Sequence, residues 1–308
     1  MDSKKPDAHM GVAEWLLLCL LSLLWGCSFL FVELALLDIP VFTVALGRTG
    51  IAAAFLILFV VTKRLPLSQS MHRWPEFVLL GALRGAIPIC LIVWAQTRID
   101  SGLAGILNST SPLFTMILAH LLTSDDRLSP QKLAGCAIGI VGVAVMIGID
   151  FLHGLGNNVL GQFAMLGATC CYGFAAVYGR RFKNTPHAVS AAGMLLGATV
   201  LILPAALILE RPWTLHPGVL SLGALIGLAL FSTALAFVVW FRLIQTAGPS
   251  NTSLVTFIIP FTALVLGVLL LGEEPTGSSI FGLLIILTGL GVTQLRVFRR
   301  APITQRST

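Results

Sequence analysis

The sequence predicts an all-α integral membrane protein, with ten transmembrane helices forming two inverted-topology five-helix repeats around a central cavity. Three observations carry that expectation. Ten apolar stretches have the length of about 20 residues that a bilayer crossing needs. Basic residues concentrate in every second connection, and the two halves of the chain resemble each other. Composition sets the background: of 308 residues 56% are apolar and 10% charged, with mean hydropathy +0.94. Soluble domains run at about 45–50% and about 25%. The 30 glycines and 15 prolines lie largely inside the apolar runs, where neighbouring helices can satisfy the backbone groups they free. A soluble enzyme, a secreted disulfide scaffold and a disordered chain are thereby excluded. The net charge of +6 is spread between apolar segments, which suits a membrane surface and not nucleic acid. The six cysteines all fall in apolar segments without the paired spacing of a metal site or a disulfide framework.

The elements follow in order. A polar tail, 1–13, carries Lys4 and Lys5 and leads into span one, 14–36. Its apolar run from Trp15 to Val32 exceeds the roughly 7–15 residues of a signal-peptide core and lacks a clear small-residue cleavage site. Spans two and three, 40–62 and 75–96, each hold one arginine inside apolar sequence, Arg48 and Arg84. Span four, 102–122, contains the polar run Asn108-Ser109-Thr110-Ser111-Pro112. Span five, 130–149, is spaced by glycines, and 150–158 links the halves. Spans six to ten are 159–180, 187–209, 217–242, 250–271 and 277–297, followed by a second tail, 298–308. The linkers are too short for a separate soluble domain, so the expected units are a first repeat, 14–149, and a second, 159–297.

Placing the N-terminus in the cytoplasm puts fifteen of the nineteen Lys and Arg on that side: Lys4, Lys5, Lys63, Arg64, Arg73, Arg127, Lys132, Arg180, Arg181, Lys183, Arg242, Arg296, Arg299, Arg300 and Arg306. Only Arg98 and Arg211 fall opposite, with Arg48 and Arg84 inside spans. This agrees with the positive-inside rule and puts both termini in the cytoplasm. The halves match at a separation of about 148 residues: Pro112 with Pro260, Asp125-Asp126 with Glu273-Glu274, Gly135 and Gly142 with Gly282 and Gly289, and Trp25-Gly26 with Tyr172-Gly173. Five spans per half make the second copy enter from the opposite side. Inverted repeats of this kind are characteristic of secondary transporters with a midplane site.

Several of these residues carry a family likeness: Trp25-Gly26-Cys27-Ser28-Phe29, Arg48, the spacings Pro112 to Asp126 and Pro260 to Glu274, and the glycine-spaced helices that follow. Over 14–297 the chain resembles the drug/metabolite transporter superfamily, in particular the EamA-type ten-helix exporters, which include YddG-like amino-acid exporters. Departures are Tyr172 in place of tryptophan, Asp126 in place of glutamate, and Thr49 after Arg48 where an aromatic is usual. The resemblance implies multi-pass placement in a bacterial inner membrane and outward movement of small metabolites, with amino acids the leading class. It also favours a structural role for Arg48.

For the site, Arg84 reads either as the receptor of a substrate carboxylate or as a residue snorkelling to headgroups. Arg48 and Glu33, with Asp38 at similar depth, form a candidate outer gate. Pro88, Pro112 and Pro260 are candidate hinges, freeing the carbonyls of Arg84, Asn108 and Thr256. Asn108, Ser111 and Thr256 read as substrate-binding groups or as helix-packing contacts. Trp25 and Tyr172 read as cavity walls or packing, and Trp94 and Trp240 as interfacial anchors. Asp126 and Glu274 read as caps on spans five and ten, and the small residues of those spans as a contact between the halves.

Facilitated or weakly coupled alternating-access transport leads. Multidrug or cationic-compound efflux is the alternative, with a channel or an intramembrane enzyme the remaining classes. No catalytic residues, metal or cofactor are expected, and no nucleotide-binding loop is present. The expected partners are a small-molecule metabolite and the lipid bilayer, with no nucleic acid, and the chain acts as a monomer or a homodimer.

Overall fold

The computed structural model describes residues 11–66, 71–123, 129–152 and 156–299. Most of both tails, part of the inter-repeat linker, and Asp125, Asp126 and Arg127 lie outside the described residues. Among the described residues the fold is all-helical. The helices are α1 (Val12–Ala35), α2 (Val41–Thr62), α3 (Trp74–Ala95), α4 (Ser101–Leu122), α5 (Pro130–Leu152), α6 (Gly156–Gly179), α7 (His187–Glu210), α8 (Val219–Thr246), α9 (Val255–Leu271) and α10 (Gly277–Arg299). Among the described residues seven helices are long and apolar enough to cross a membrane, from α1 to α4 and from α6 to α8, and Pro130–Val145, Val255–Leu271 and Gly277–Thr293 are shorter apolar helices. Large apolar side chains such as Leu16, Leu58, Ile208 and Val219 face outward, as hydrocarbon surroundings permit.

Span four is not one continuous helix. Ser101–Asn108 ends, Ser109 and Thr110 form a turn, and Ser111–Leu122 restarts with Pro112 in its first turn, where a missing N–H costs nothing. The hydroxyls of Ser109, Thr110 and Ser111 donate to the carbonyls of Ile106, Leu107 and Asn108 at 2.6–2.7 Å. The polar run thus satisfies the acceptors its own break exposes.

The helices pair in a pattern that survives exchange of the halves. α1 packs on α8 and α9, and α6 packs on α3 and α4 in the corresponding way. α2 with α8 corresponds to α7 with α3, while α2–α7, α4–α9 and α5–α10 correspond to themselves. Glycines set the closest crossings. A Cβ on Gly26 would stand 2.1 Å from Thr262 Oγ1 on α9, and one on Gly173 would meet the Phe114 backbone on α4 at 3.1 Å. A Cβ on Gly289 of α10 would lie 2.6 Å from the Gly135 carbonyl of α5, so these two helices meet backbone to backbone. Arg64 after α2 and Arg211 after α7, 147 residues apart, both close their helices with left-handed φ, 51° and 47°.

Hydrogen bonds tie one end of the bundle together through acids. Glu210 accepts from the backbone N–H of Phe42 and Thr43 at the start of α2. Glu273 accepts from those of Ser101 and Gly102 at the start of α4, both at 2.8 Å. Asp38 accepts from Gly218 N–H and the Ser221 hydroxyl before and within α8. These carboxylates sit at helix N-termini, where the dipole and free N–H groups favour them, but on helices other than their own. The start of α10 is capped by Thr276, whose Oγ1 accepts from Ser279 N–H. The opposite end carries the basic residues Lys63, Arg64, Arg73, Arg181 and Lys183, and there Arg73 donates to Thr185 and to the Arg181 carbonyl.

Candidate functional site

Pro88 cannot donate to the carbonyl four residues back, and α3 absorbs this by widening into a π-turn over Ala82–Ala86, where Ile87 N–H reaches the Ala82 carbonyl. Arg84 rides in the middle of that turn. α8 widens in the same way over Leu230–Leu235, beginning 148 residues later, without a proline. There the Thr233 hydroxyl donates to the Leu228 carbonyl at 2.9 Å. A π-turn pushes side chains out of helical register, and functional sites use it often.

The two widened turns, α2 and α6 meet in a polar cluster. Arg48 Nε donates to Thr233 Oγ1 at 3.2 Å. The Arg84 guanidinium carbon lies 5.8 Å from the Tyr172 ring centroid, and the Tyr172 phenol is within electrostatic reach of both arginines. No carboxylate answers either charge: among the described residues the one ion pair is Arg73 with Glu76. Glu33 instead accepts from Gln96 Nε2 at 3.5 Å, and the same amide nitrogen donates to the Phe29 carbonyl at 2.9 Å. The structure therefore groups Arg48 with Arg84 and Tyr172, and no ion pair joins it to Glu33. Two guanidinium groups inside apolar helices without a counter-charge are costly, and arginine cannot relieve that cost by losing its proton. An anion is the species that offsets it.

Arg84 also lines a cavity of about 290 Å³ between α3, α6, α7 and α8. Its other walls include Phe237, Trp240 and Phe241 of α8 and His187 of α7, with Lys183 at its rim. His187 stacks on Phe241 at 5.7 Å between ring centroids, and Phe237 on Phe241 at 6.0 Å. The residues at the rim place its mouth at the basic end of the bundle. Trp240, which its position near a span end marks as an anchor, is thus part of the cavity wall. Trp94 pairs instead with Arg98, whose guanidinium lies 3.8 Å over its ring.

The remaining candidates fall elsewhere. Trp25 packs half-buried against the core shared by α1, α4, α6, α8 and α9. Ser111 is engaged with the Asn108 carbonyl, and Thr256 donates to the Ser253 carbonyl at 2.8 Å. The Asn108 amide makes no hydrogen bond among the described residues. Pro112 stands at the α4 break and Pro260 lies buried inside α9. Lys183, His187, Phe237 and Phe241 are not legible as site residues in the sequence, since a lysine that counts only toward topology, a histidine at a span end and two phenylalanines in an apolar run are unremarkable until α7 and α8 converge.

Two acids outside the spans are shifted in opposite directions. Hydrogen bonds from Ser221 and Gly218 hold the Asp38 carboxyl below its usual range. Burial, and secondarily the charge of Glu273, push Asp100 upward.

Comparison with known proteins places this geometry in context. Residues 13–148, and again 159–294, match the EamA-like transporter family. The "Uncharacterized transporter YoaV" of Bacillus subtilis (strain 168) is 26% identical over 286 residues, 91% of this chain and 96% of the relative. A "Probable amino-acid metabolite efflux pump" of Escherichia coli (strain K12) is 26% identical over 292 residues, 91% of this chain and 94% of that one. The "Uncharacterized inner membrane transporter YedA" of the same strain is 26% identical across 82% of this chain and 81% of its own length. A solved structure titled only as a crystal structure of a protein shares the fold, with a TM-score of 0.65 at 22% identity over 94% of this chain and 99% of that one.

Proposed function

Because this chain belongs to the EamA-like transporter family, and is therefore a multi-pass membrane transporter and not an enzyme, we propose that it exports small carboxylate metabolites, amino acids or their derivatives, across the inner membrane by alternating access. In this reading all ten helices cross the bilayer, with 14–149 and 159–297 as inverted repeats and both termini in the cytoplasm. Support comes from the two successive family matches, the helix pairing that survives exchange of the halves, and the paired π-turns. The excess of basic residues at one end supports the orientation, which makes the cavity of Arg84 open to the cytoplasm and the carboxylate-tied end the closed outer face.

The observation that carries the substrate reading is Arg84: unpaired among the described residues, set out of register by its π-turn, and facing the cavity. Its planar fork suits a carboxylate. The relative named as an amino-acid metabolite efflux pump points the same way at low identity. Arg48, Glu33 and the prolines act here in positioning and in the movement of the halves. The test is carriage by the purified protein in proteoliposomes of a labelled panel: amino acids, nucleosides and cationic drugs. Counterflow of the carboxylate-bearing members is expected. Carriage of the cationic drugs alone would overturn the reading in favour of multidrug efflux.

A further inference from the structure

The polar side chains that line the cavity can all donate a hydrogen bond: Arg84, Lys183, His187, Ser190 and Trp240, and no aspartate or glutamate lines it. The Ser190 hydroxyl is sealed from solvent and has no hydrogen-bond partner among the described residues. An unmet buried hydroxyl is costly, and here it borders the same space as an unpaired guanidinium. Lys183 sits exposed at the rim, so an entering ligand passes one cation to reach another. Phe237, Trp240 and Phe241 supply the apolar remainder.

An amino-acid zwitterion brings a carboxylate that these groups welcome and an ammonium that they do not. Arg84 and Lys183 repel the ammonium, and what attracts it is the aromatic faces and the Ser190 hydroxyl oxygen, weaker partners than a carboxylate. A molecule of the same shape whose nitrogen is acylated, or replaced by a hydroxyl, keeps the favourable contact and loses the penalty. Its acyl carbonyl or hydroxyl oxygen is also an acceptor for Ser190. Resting on the carboxylate-exporter reading above, we propose that the cavity selects net-anionic carboxylates with an apolar or aromatic body, such as N-acylated or deaminated amino-acid derivatives, over the parent zwitterions. Such compounds come from N-acyl transfer to an amino acid, or from transamination followed by reduction, and those are the classes of reaction that must supply this substrate.

The experiment is counterflow in proteoliposomes of the full chain with four probes of one shape: N-acetyl-L-phenylalanine, phenyllactate, L-phenylalanine and phenethylamine. The two anions should compete about tenfold more strongly than phenylalanine, the scale of one unscreened like-charge contact, and phenethylamine should be inert. Lys183→Gln should narrow that gap several-fold while Lys183→Arg retains it, both with unchanged melting temperature. Phenylalanine carried as well as or better than the anions would overturn the selectivity and leave the exporter reading standing. If none of the four is carried or raises the melting temperature of the detergent-purified protein, both readings fall.

Discussion

Arg84 stands out because no carboxylate pairs with its charge among the described residues. A lone arginine in an apolar run is an anomaly visible in the sequence, and so were Arg48 and Tyr172 once the halves were aligned. Their meeting was not visible, since it depends on two π-turns that bring Thr233 to Arg48 and turn Arg84 toward Tyr172. Lys183 signals only topology and Ser190 nothing, because a loop lysine and a helix serine acquire their meaning for the site only from the cavity they border. The same scale yields a prediction about pH. Asp100 is pushed upward by burial and by Glu273, so the folded chain holds that proton at a pH where the unfolded chain has released it. The folded state then binds more protons, and stability from this group rises as pH falls from neutral through the raised value. Melting temperature in detergent should increase on mild acidification, and Asp100→Asn should shrink that gain. An unchanged gain in the variant would contradict the assignment.

Among the elements, the sequence was most informative where a residue type forces geometry. Pro88 does widen α3 and Pro112 does mark a restart in α4, but the hydroxyl run that looked like open ligand groups is largely spent on its own carbonyls. The acids before the last helix illustrate the opposite limit. Glu274 reads as a local cap in the sequence, while its neighbour Glu273 holds the start of α4, a contact between chain segments far apart in sequence that no local pattern encodes. The α5–α10 contact was legible from glycine spacing, and its closeness gives a direct test. A side chain at Gly289 would meet the Gly135 carbonyl at 2.6 Å, and backbone cannot step aside as a flexible side chain can. Gly289→Val should destabilise the protein by about 1–3 kcal/mol, the usual cost of overpacking, read as a lower melting temperature. An unchanged melting temperature would show that the two helices do not approach so closely.

For the whole molecule, the main helix pairings recur when the halves are exchanged, and in the proposed mechanism the bundle closes at either end in turn. In the described arrangement the acid-tied end is shut by bonds from Asp38, Glu210 and Glu273, while the other end opens onto Arg84. In the proposed function a carboxylate bound by Arg84 is the cargo of that exchange. The most direct measurement compares wild type with Arg84→Gln in proteoliposomes, using labelled carboxylate substrates and reading initial counterflow rates alongside the melting temperature. Losing a charge-assisted hydrogen bond of about 1.5–3 kcal/mol predicts a fall in transport efficiency of about tenfold or more with folding preserved. Undiminished carriage of the carboxylates by Arg84→Gln would show that Arg84 does not receive the cargo's carboxylate.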